Sequence, residues 1–295
     1  MRTLLHEVVL RLSTSRWLDE DARAAAPREA RLLMAAVLRC APGDVARRID
    51  RPMPHTERER VLKATARRER GEPLAYAVGN APFRHLTLQV DARVLIPRPE
   101  TEVVVEEALR VVQGHPGGVA VDIGTGSGAV ALSLAMEGRF EKVIATDVSS
   151  DALDVARTNA AMVNPAAPVE FRLGADFAPL DGVRARVIVS NPPYIAYEEA
   201  TALPASVRDW EPSMALFAAD GGMARYEVQL ANAARYLEPG GWVVFEVDAR
   251  RASETAARAE QHGWIDVRLV RDLSGRDRVL IAKASLTSVP GPEAR

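Results

Sequence analysis

From residue 119 onward, short and almost wholly apolar runs alternate with stretches of helical pattern: VAVDI, KVIATD, RVIVS and GWVVFEV are each followed by a helix-forming segment. An apolar run without polar alternation is a strand buried on both faces, and such strands separated by helices build a parallel sheet. The expected fold is therefore α/β, a doubly wound sheet. VEFRL supplies a further strand. IDVRLV and RVLIAK are joined only by the short RDLSGRD, and because a parallel pair needs a long crossover, these last two are expected to pair antiparallel.

The first seventy residues read differently. APREARLLMAAVLRCAPGDV places Leu32, Leu33, Ala36, Val37 and Cys40 on one face of a helix, with Pro27 near its start and Pro42-Gly43 as its stop. TERERVLKATARRERGEP carries Arg58, Arg60, Lys63, Arg67, Arg68 and Arg70 around few apolar positions; a solvated helix face is the simpler reading, and docking to an acidic or RNA-containing partner the sharper one. Between these regions LTLQVDARVLIPRPETE alternates apolar and polar residues as a strand or hairpin does, then meets Pro97 and Pro99. The expected organisation is a small N-terminal helical domain over 1–75, a linking β-hairpin over 76–97, the α/β domain over 98–284 and a disordered tail over 285–295.

Several function classes are disfavoured. In a chain of 295 residues, 47% of them hydrophobic, MRTLLHEVVLRL is interrupted by His6, Glu7 and Arg11, so neither a membrane span nor a signal peptide is expected there. A single cysteine, Cys40, precludes an intrachain disulfide framework, and no Cys/His cluster suggests a metal. The cytoplasm is the expected compartment. A net charge of −2 argues against a broad surface for nucleic acid, which needs many phosphate-neutralising cations.

VDIGTGSGAVALSLA joins the first strand of the sheet to its helix through Gly124, Gly126 and Gly128. Glycines permit positive φ and let a ligand approach backbone that a Cβ would block. The looser dinucleotide-binding pattern is satisfied by Gly124, Gly126 and Ala129, so the turn alone does not choose between nucleotide cofactors. Asp122, just before the first glycine, either orients the turn or meets a cationic ligand group. Asp147 closes KVIATD at the distance where a carboxylate accepts both hydroxyls of a ribose; an N-cap role is the alternative, but Ser149 and Ser150 already supply caps.

RVIVS ends in Asn191-Pro192-Pro193-Tyr194. The proline rings fix φ and carry no N–H, so the surrounding carbonyls can be aimed rigidly into a cavity. The side-chain oxygen of Asn191 and the carbonyl of Pro192 can take the two hydrogens of one –NH2 group, and the Tyr194 ring offers a flat face. That set suits a planar nitrogen nucleophile. Holding both N–H bonds while the nitrogen becomes tetrahedral is differential transition-state binding, and it requires no histidine or cysteine.

These motifs, with GEPLAY at 71–76, LIPRPETE at 95–102, EPSMAL at 211–216 followed by DGG, and DLSGRDRV at 272–279, closely resemble the peptide chain release factor glutamine N5-methyltransferases, the PrmC/HemK family. The resemblance covers nearly the whole chain. It implies a class I methyltransferase domain using S-adenosylmethionine, and an N-terminal domain of about five helices that helps dock the release factor. It further implies that Gly124, Thr125, Gly126, Ser127, Gly128, Asp147, Phe177 and Asn191 hold the cofactor, and that Asn191, Pro192, Pro193 and Tyr194 grip the glutamine of the release factor's Gly-Gly-Gln tip, with Asn191, Pro192 and Tyr194 carrying the catalysis. IPRPETE is either an ordinary helix start or a closing element over the cofactor. Phe177 stands where some members have tryptophan, and FEVDARRA at 245–252 departs from the expected Glu-Ile-Gly pattern, leaving Glu246 without an assigned role. A monomer acting on a protein, with no membrane or direct nucleic-acid substrate, is expected. The rivals are an adenine-N6 methyltransferase with a related turn, a ribosomal-protein glutamine methyltransferase, and a nucleotide-binding assembly factor that would have no need of Asn191 and Tyr194.

Overall fold

The computed structural model describes residues 1–285; the tail expected to be disordered lies, from residue 286, outside the described residues. The chain forms two compact units, Met1–Asn80 with Val90–Ala92 and Leu203–Glu211, and Ala81–Gln89 with Arg93–Ala202 and Pro212 onward. No helix among the described residues is long and apolar enough to cross a membrane.

In the first unit, helices span Arg2–Ser13, Glu20–Ala24, Ala26–Leu38, Pro42–Arg47 and His55–Arg68, with a short one at Leu74–Val78. Leu4, Val8 and Leu12 recur at four-residue spacing and bury one stripe of the first helix against Ala30, Leu33 and Met34 of the third and Val61 and Ala64 of the fifth. The third helix differs from its expected face: Leu33 is buried, but Leu32, Ala36, Val37 and Cys40 are only partly so, while Ala26, Ala30 and Met34 go inward. Its small residues let neighbouring helices approach, and that contact, rather than the largest apolar stripe, sets the buried arc. Nor does Pro42-Gly43 stop it. Arg39, in the left-handed conformation at φ 50°, caps the helix, and Pro42 opens the next one, where a missing N–H costs nothing.

The arginine-rich helix is not merely a solvated face. Arg68 is only 5% exposed, and its guanidinium makes a two-pronged contact with Glu29 at 2.8 and 3.0 Å and a third bond to the carbonyl of Glu72 at 3.2 Å. Arg67 pairs with the Glu72 carboxylate.

The second unit opens with a two-stranded sheet of β1 (Asn80–Phe83) and β2 (Leu86–Gln89). Its centre is a seven-stranded sheet built from β3 (Val119–Ile123), β4 (Lys142–Asp147), β5 (Val169–Leu173), β6 (Ala185–Ser190), β9 (Leu237–Glu246), β10 (Ile265–Arg271) and β11 (Asp277–Lys283), in the order β10-β11-β9-β6-β3-β4-β5. A small parallel pair, β7 (Ile195–Ala196) and β8 (Phe217–Ala218), lies beyond β6 in sequence. The five strands from β9 to β5 are parallel; β11 runs antiparallel to both neighbours, β9 and β10. Hence the expected doubly wound sheet and antiparallel closing pair are both present. The turn between β10 and β11 is organised by Asp272, whose carboxylate accepts from the backbone N–H of Ser274 at 2.8 Å and of Arg276 at 3.1 Å.

The apolar runs divide between the two faces by the period of two that a strand imposes. Ala120, Val187, Val189, Val244, Val279 and Ile281 face one layer, with Val104, Val105 and Ala108 of the helix Thr101–Val111 and Leu132 and Leu134 of the helix Ala129–Glu137. Val121, Ile188, Val243, Phe245, Leu280 and Ala282 face the other, with Tyr226, Leu230 and Ala259 from the helices Ala224–Asn232 and Ala252–Gln261. Both faces of each central strand are covered, which is why its sequence shows no polar alternation.

Replacing Glu29 by alanine leaves the buried Arg68 guanidinium without its carboxylate. The expected cost is about 3 kcal/mol of stability, read from urea unfolding of the full chain; a loss below about 0.5 kcal/mol would show that Arg68 reaches water instead.

Candidate active site

A cavity opens at the carboxyl ends of the parallel strands, where Ile123 is in register with Thr146 of β4 on one side and Ser190 of β6 on the other. The chain winds outward from β3 in both directions, so this is the point at which an open α/β sheet leaves a crevice. Gly124 and Gly126 follow β3, Asp147 ends β4, Gly174 follows β5, and Asn191, Pro192 and Pro193 follow β6; all of them line the cavity.

The glycines have distinct tasks. Gly124 and Gly126 have φ of 75° and 55°, and a Cβ on either would meet nothing within 4 Å, so the floor of the cavity is bare backbone. Gly128, at φ 84°, instead makes room for Leu132 and Ala156, which would lie 3.2 and 3.3 Å from its Cβ. It serves helix packing.

Asp122 takes the first of its two expected roles. Its carboxylate is 1% exposed and accepts from the Thr125 hydroxyl at 2.7 Å and the Ala131 N–H at 3.1 Å, tying the turn to the strand and to the helix behind it. Burial pushes its pKa up to about 7, against the pull of those two donors. Asp147 accepts from the Gly126 and Ser149 N–H groups, each at 2.9 Å, and burial raises its pKa too. Ser149 caps the following helix through the Ala152 N–H at 3.2 Å, so Asp147 is not needed there and remains on the cavity wall.

On the opposite wall, the Asn191 side-chain nitrogen donates to the Thr101 hydroxyl at 3.1 Å, and Thr101 donates to Glu246 at 2.5 Å. The Tyr194 hydroxyl reaches the other oxygen of Glu246 at 3.4 Å, and burial and that carboxylate push the phenol pKa up. Glu246 is 1% exposed, and burial lifts its pKa to about 7 although Thr101 and Arg278 draw it down.

The structure therefore brings Gly124, Gly126, Asp147, Asn191, Pro192 and Pro193 together around one cavity. Thr125, Ser127, Gly128, Phe177 and Tyr194 are not on its wall. Thr125 serves Asp122, the Ser127 carbonyl accepts from Asn159 at 2.8 Å, and Phe177 is buried in a stack with Tyr236, ring centroids 4.9 Å apart. The wall also holds a group that sequence did not suggest: Gln229, 2% exposed, donates to Ser190 Oγ at 3.2 Å, while its Oε1 is buried with no partner among the described residues. An orphaned acceptor of this kind is costly unless a donor from a ligand meets it. The bare glycine floor, the carboxylate at the end of β4 and this acceptor together fit a nucleoside-bearing cofactor with donor groups of its own. No cluster of three or more His, Cys, Asp or Glu side chains is placed to hold a metal among the described residues.

The loop that carries Asn191 is clamped from behind. A Cβ on Gly222 would lie 2.2 Å from the Tyr194 carbonyl oxygen, so glycine alone fits the DGG turn against this backbone. The atypical FEVDARRA stretch supplies the rest of the clamp: Arg251 donates to the Gly221 carbonyl at 2.5 Å and to Glu199 at 2.9 Å, and Asp248 pairs with both Arg250 and Arg251. Within IPRPETE the helix begins at Thr101, Glu102 accepts from the Arg84 N–H at 2.8 Å, and Thr101 faces Asn191. Nothing in a one-dimensional pattern marks Thr101 and Glu246 as partners, since 145 residues separate them.

Comparison with known proteins places these features in context. A model of the PrmC N-terminal domain matches residues 10–79, and a model of the methyltransferase small domain matches residues 104–206. A release factor glutamine methyltransferase from Cereibacter sphaeroides is 36% identical over 88% of this chain and 91% of its own length, and one from Moorella thermoacetica is 40% identical over 76% and 79%. Among solved structures, a methyltransferase from Pyrococcus furiosus shares the fold with a TM-score of 0.53 at 20% identity, over 78% of this chain and 98% of that one.

The two carboxylates raised to about 7 have a consequence for stability. Their ordinary values are 3.8 and 4.5, so between there and about 7 the folded protein holds protons that the unfolded chain has lost. Stability therefore falls as pH rises through that window. Asp122→Asn removes one of the two groups and is expected to flatten the slope of melting temperature against pH between about 5 and 7; an unchanged slope would show that Asp122 ionises normally.

Proposed function

Because the chain belongs to the release factor glutamine methyltransferase family, we propose that it transfers a methyl group from S-adenosylmethionine to the side-chain amide nitrogen, N5, of the glutamine in the Gly-Gly-Gln motif of peptide chain release factors. The observation that carries this reading is the placement of Asn191 and Pro192 on the same cavity as Gly124, Gly126 and Asp147. A turn rich in acceptors faces a floor shaped for a nucleoside.

Gly124 and Gly126 would floor the cofactor's site, Asp147 would accept from its ribose hydroxyls, and the unpartnered Gln229 Oε1 would take a donor from cofactor or substrate. When bound, S-adenosylmethionine supplies an electrophilic sulfonium methyl. The chain's own residues make the amide a competent nucleophile. An amide nitrogen is planar and its lone pair delocalised; Asn191 Oδ1 and the Pro192 carbonyl hold its two N–H bonds in the geometry of the tetrahedral nitrogen, so their hydrogen bonds strengthen as the transition state forms. Fixing the nitrogen's orientation in this way would let it meet a sulfonium methyl in line rather than by chance. No general base is needed, because an N-alkylated, positively charged amide loses its proton readily to water. Tyr194 acts beneath the turn, bracing it through Glu246.

The helical residues 1–75 are proposed to dock the release factor, residues 76–97 to link, and residues 98–284 to carry the chemistry, in the cytoplasm where release factors act. The matches over 10–79 and 104–206 support that division.

Peptide mass spectrometry after incubation with purified release factor and S-adenosylmethionine is expected to show one methyl on the Gly-Gly-Gln glutamine; methylation solely of an adenine-containing oligonucleotide in a parallel reaction would overturn the substrate assignment. Asn191→Ala is expected to lower turnover roughly 10²- to 10³-fold while leaving cofactor affinity near the wild type, the scale for losing one transition-state hydrogen-bond partner. Near-normal turnover would remove Asn191 from the acceptor role. Asp147→Ala is expected to weaken cofactor binding about tenfold or more in calorimetry, the scale of a hydrogen bond to a charged group, and unchanged affinity would take Asp147 out of the site.

A further inference from the structure

Glu246 ends β9, 1% exposed, with both carboxylate oxygens engaged: Oε2 accepts from the Thr101 hydroxyl at 2.5 Å and Oε1 from the Tyr194 hydroxyl at 3.4 Å. A hydroxyl has one hydrogen. Because Thr101 gives its hydrogen to Glu246, its oxygen can only accept, and it accepts from Asn191 Nδ2 at 3.1 Å. An asparagine amide is nearly symmetrical in shape, so a half-turn about its last bond exchanges donor and acceptor at almost no steric cost. With Nδ2 committed to Thr101, Oδ1 is left to face the cavity.

We propose that Glu246, acting through Thr101, sets the sense of the Asn191 amide so that its oxygen rather than its –NH2 group is presented to the nucleophilic nitrogen. The inference rests on the glutamine-methylation reading and deepens it: Glu246 and Thr101 are positioning residues for a substrate that offers two N–H bonds. A flipped Asn191 would set –NH2 against –NH2, losing an acceptor from the transition state and adding a repulsion.

The charge on Glu246 is part of the device. A carboxylate can only accept, which fixes the direction of the whole chain of hydrogen bonds. A protonated Glu246 can donate to Thr101, which frees the threonine hydrogen to turn toward Asn191 Oδ1 and releases the amide from its sense. The charges bearing on Glu246 are Arg278 of β11, which favours the carboxylate, and Glu100 just ahead of the Thr101 helix, which disfavours it; Tyr194 donates to it, while Asp248 and Arg98 bear on Tyr194. Burial outweighs them, so the carboxylate is held only marginally near neutrality.

Three variants of the full chain test the relay in single-turnover methylation of purified release factor, with cofactor affinity measured alongside. Thr101→Val keeps the shape but has no hydroxyl, and is expected to slow methyl transfer roughly 10- to 100-fold, the scale of losing a hydrogen bond to a charged partner, with cofactor affinity unchanged. Thr101→Ser, which keeps the hydroxyl, recovers most of that loss. Glu246→Gln offers one acceptor and one donor where two acceptors stood, and is expected to be slow and to lack the fall in rate expected of the wild type as pH drops below about 7. The relay is overturned if Thr101→Val methylates within about twofold of the wild type, if Thr101→Ser is no better than Thr101→Val, or if the valine variant loses cofactor affinity in step with rate, which marks a structural role. A wild type that leaves the release factor unmethylated overturns the substrate reading itself; a wild type that methylates it while Thr101→Val keeps pace overturns the relay alone.

Discussion

The parallel pairing of β3 with both β4 and β6 is the constraint on which the site depends. Ile123 stands opposite Thr146 on one side and Ser190 on the other, so the next residue of each outer strand, Asp147 and Asn191, arrives at the same level on either side of the glycine turn. A slip of one residue in either ladder would turn those side chains to the opposite face of the sheet. The register is held because both faces are buried: Val121 and Ile188 face one helical layer and Ala120, Val187 and Val189 the other, so a slip would exchange the contents of two packed cores.

Rigidity on the two sides of the cavity has different sources. Around β3 and β4 it comes from buried carboxylates that gather backbone N–H groups: Asp122 holds the Ala131 N–H and the Thr125 hydroxyl, and Asp147 holds Gly126 and Ser149. On the β6 side, prolines remove the N–H groups that would otherwise need partners, and the loop is held by contact instead, through Gly222 against the Tyr194 carbonyl, the β7–β8 pair, and the Arg250 and Arg251 guanidinium groups. FEVDARRA thus fastens that loop through the pairing of Arg250 and Arg251 with Glu199.

Buried acids mark the same division of labour. Asp122 and Glu246 are both nearly inaccessible and both pushed toward neutrality by burial, yet neither lines the cavity. Each acts through a hydroxyl, Thr125 or Thr101, on the segment that does. The site's polarity is thereby set from one layer behind its surface, where water does not compete for the hydrogen bonds.

The sequence by itself determined the sheet, because continuous apolar runs separated by helices have only one economical burial, and it determined the glycine floor, the β4 acid and the Asn-Pro-Pro-Tyr turn, because each is a contiguous motif whose backbone demands are local. The antiparallel closing strand followed from the shortness of RDLSGRD. Tertiary structure alone decided the rest. Which residues of Ala26–Leu38 go inward depended on the helices packed against it, and Arg68 became buried because Glu29, 39 residues away, meets it. Phe177 found a stacking partner in Tyr236, and Gln229 was left with an unmet acceptor, by virtue of packing that no spacing encodes. Thr101, Asn191 and Glu246 lie on three separate stretches of chain, and only the closing of the sheet against the Thr101–Val111 helix brings them into one line of hydrogen bonds. Periodicity and turn chemistry act over a few residues and can be read from a string; the direction in which an amide points depends on partners that only a folded chain assembles.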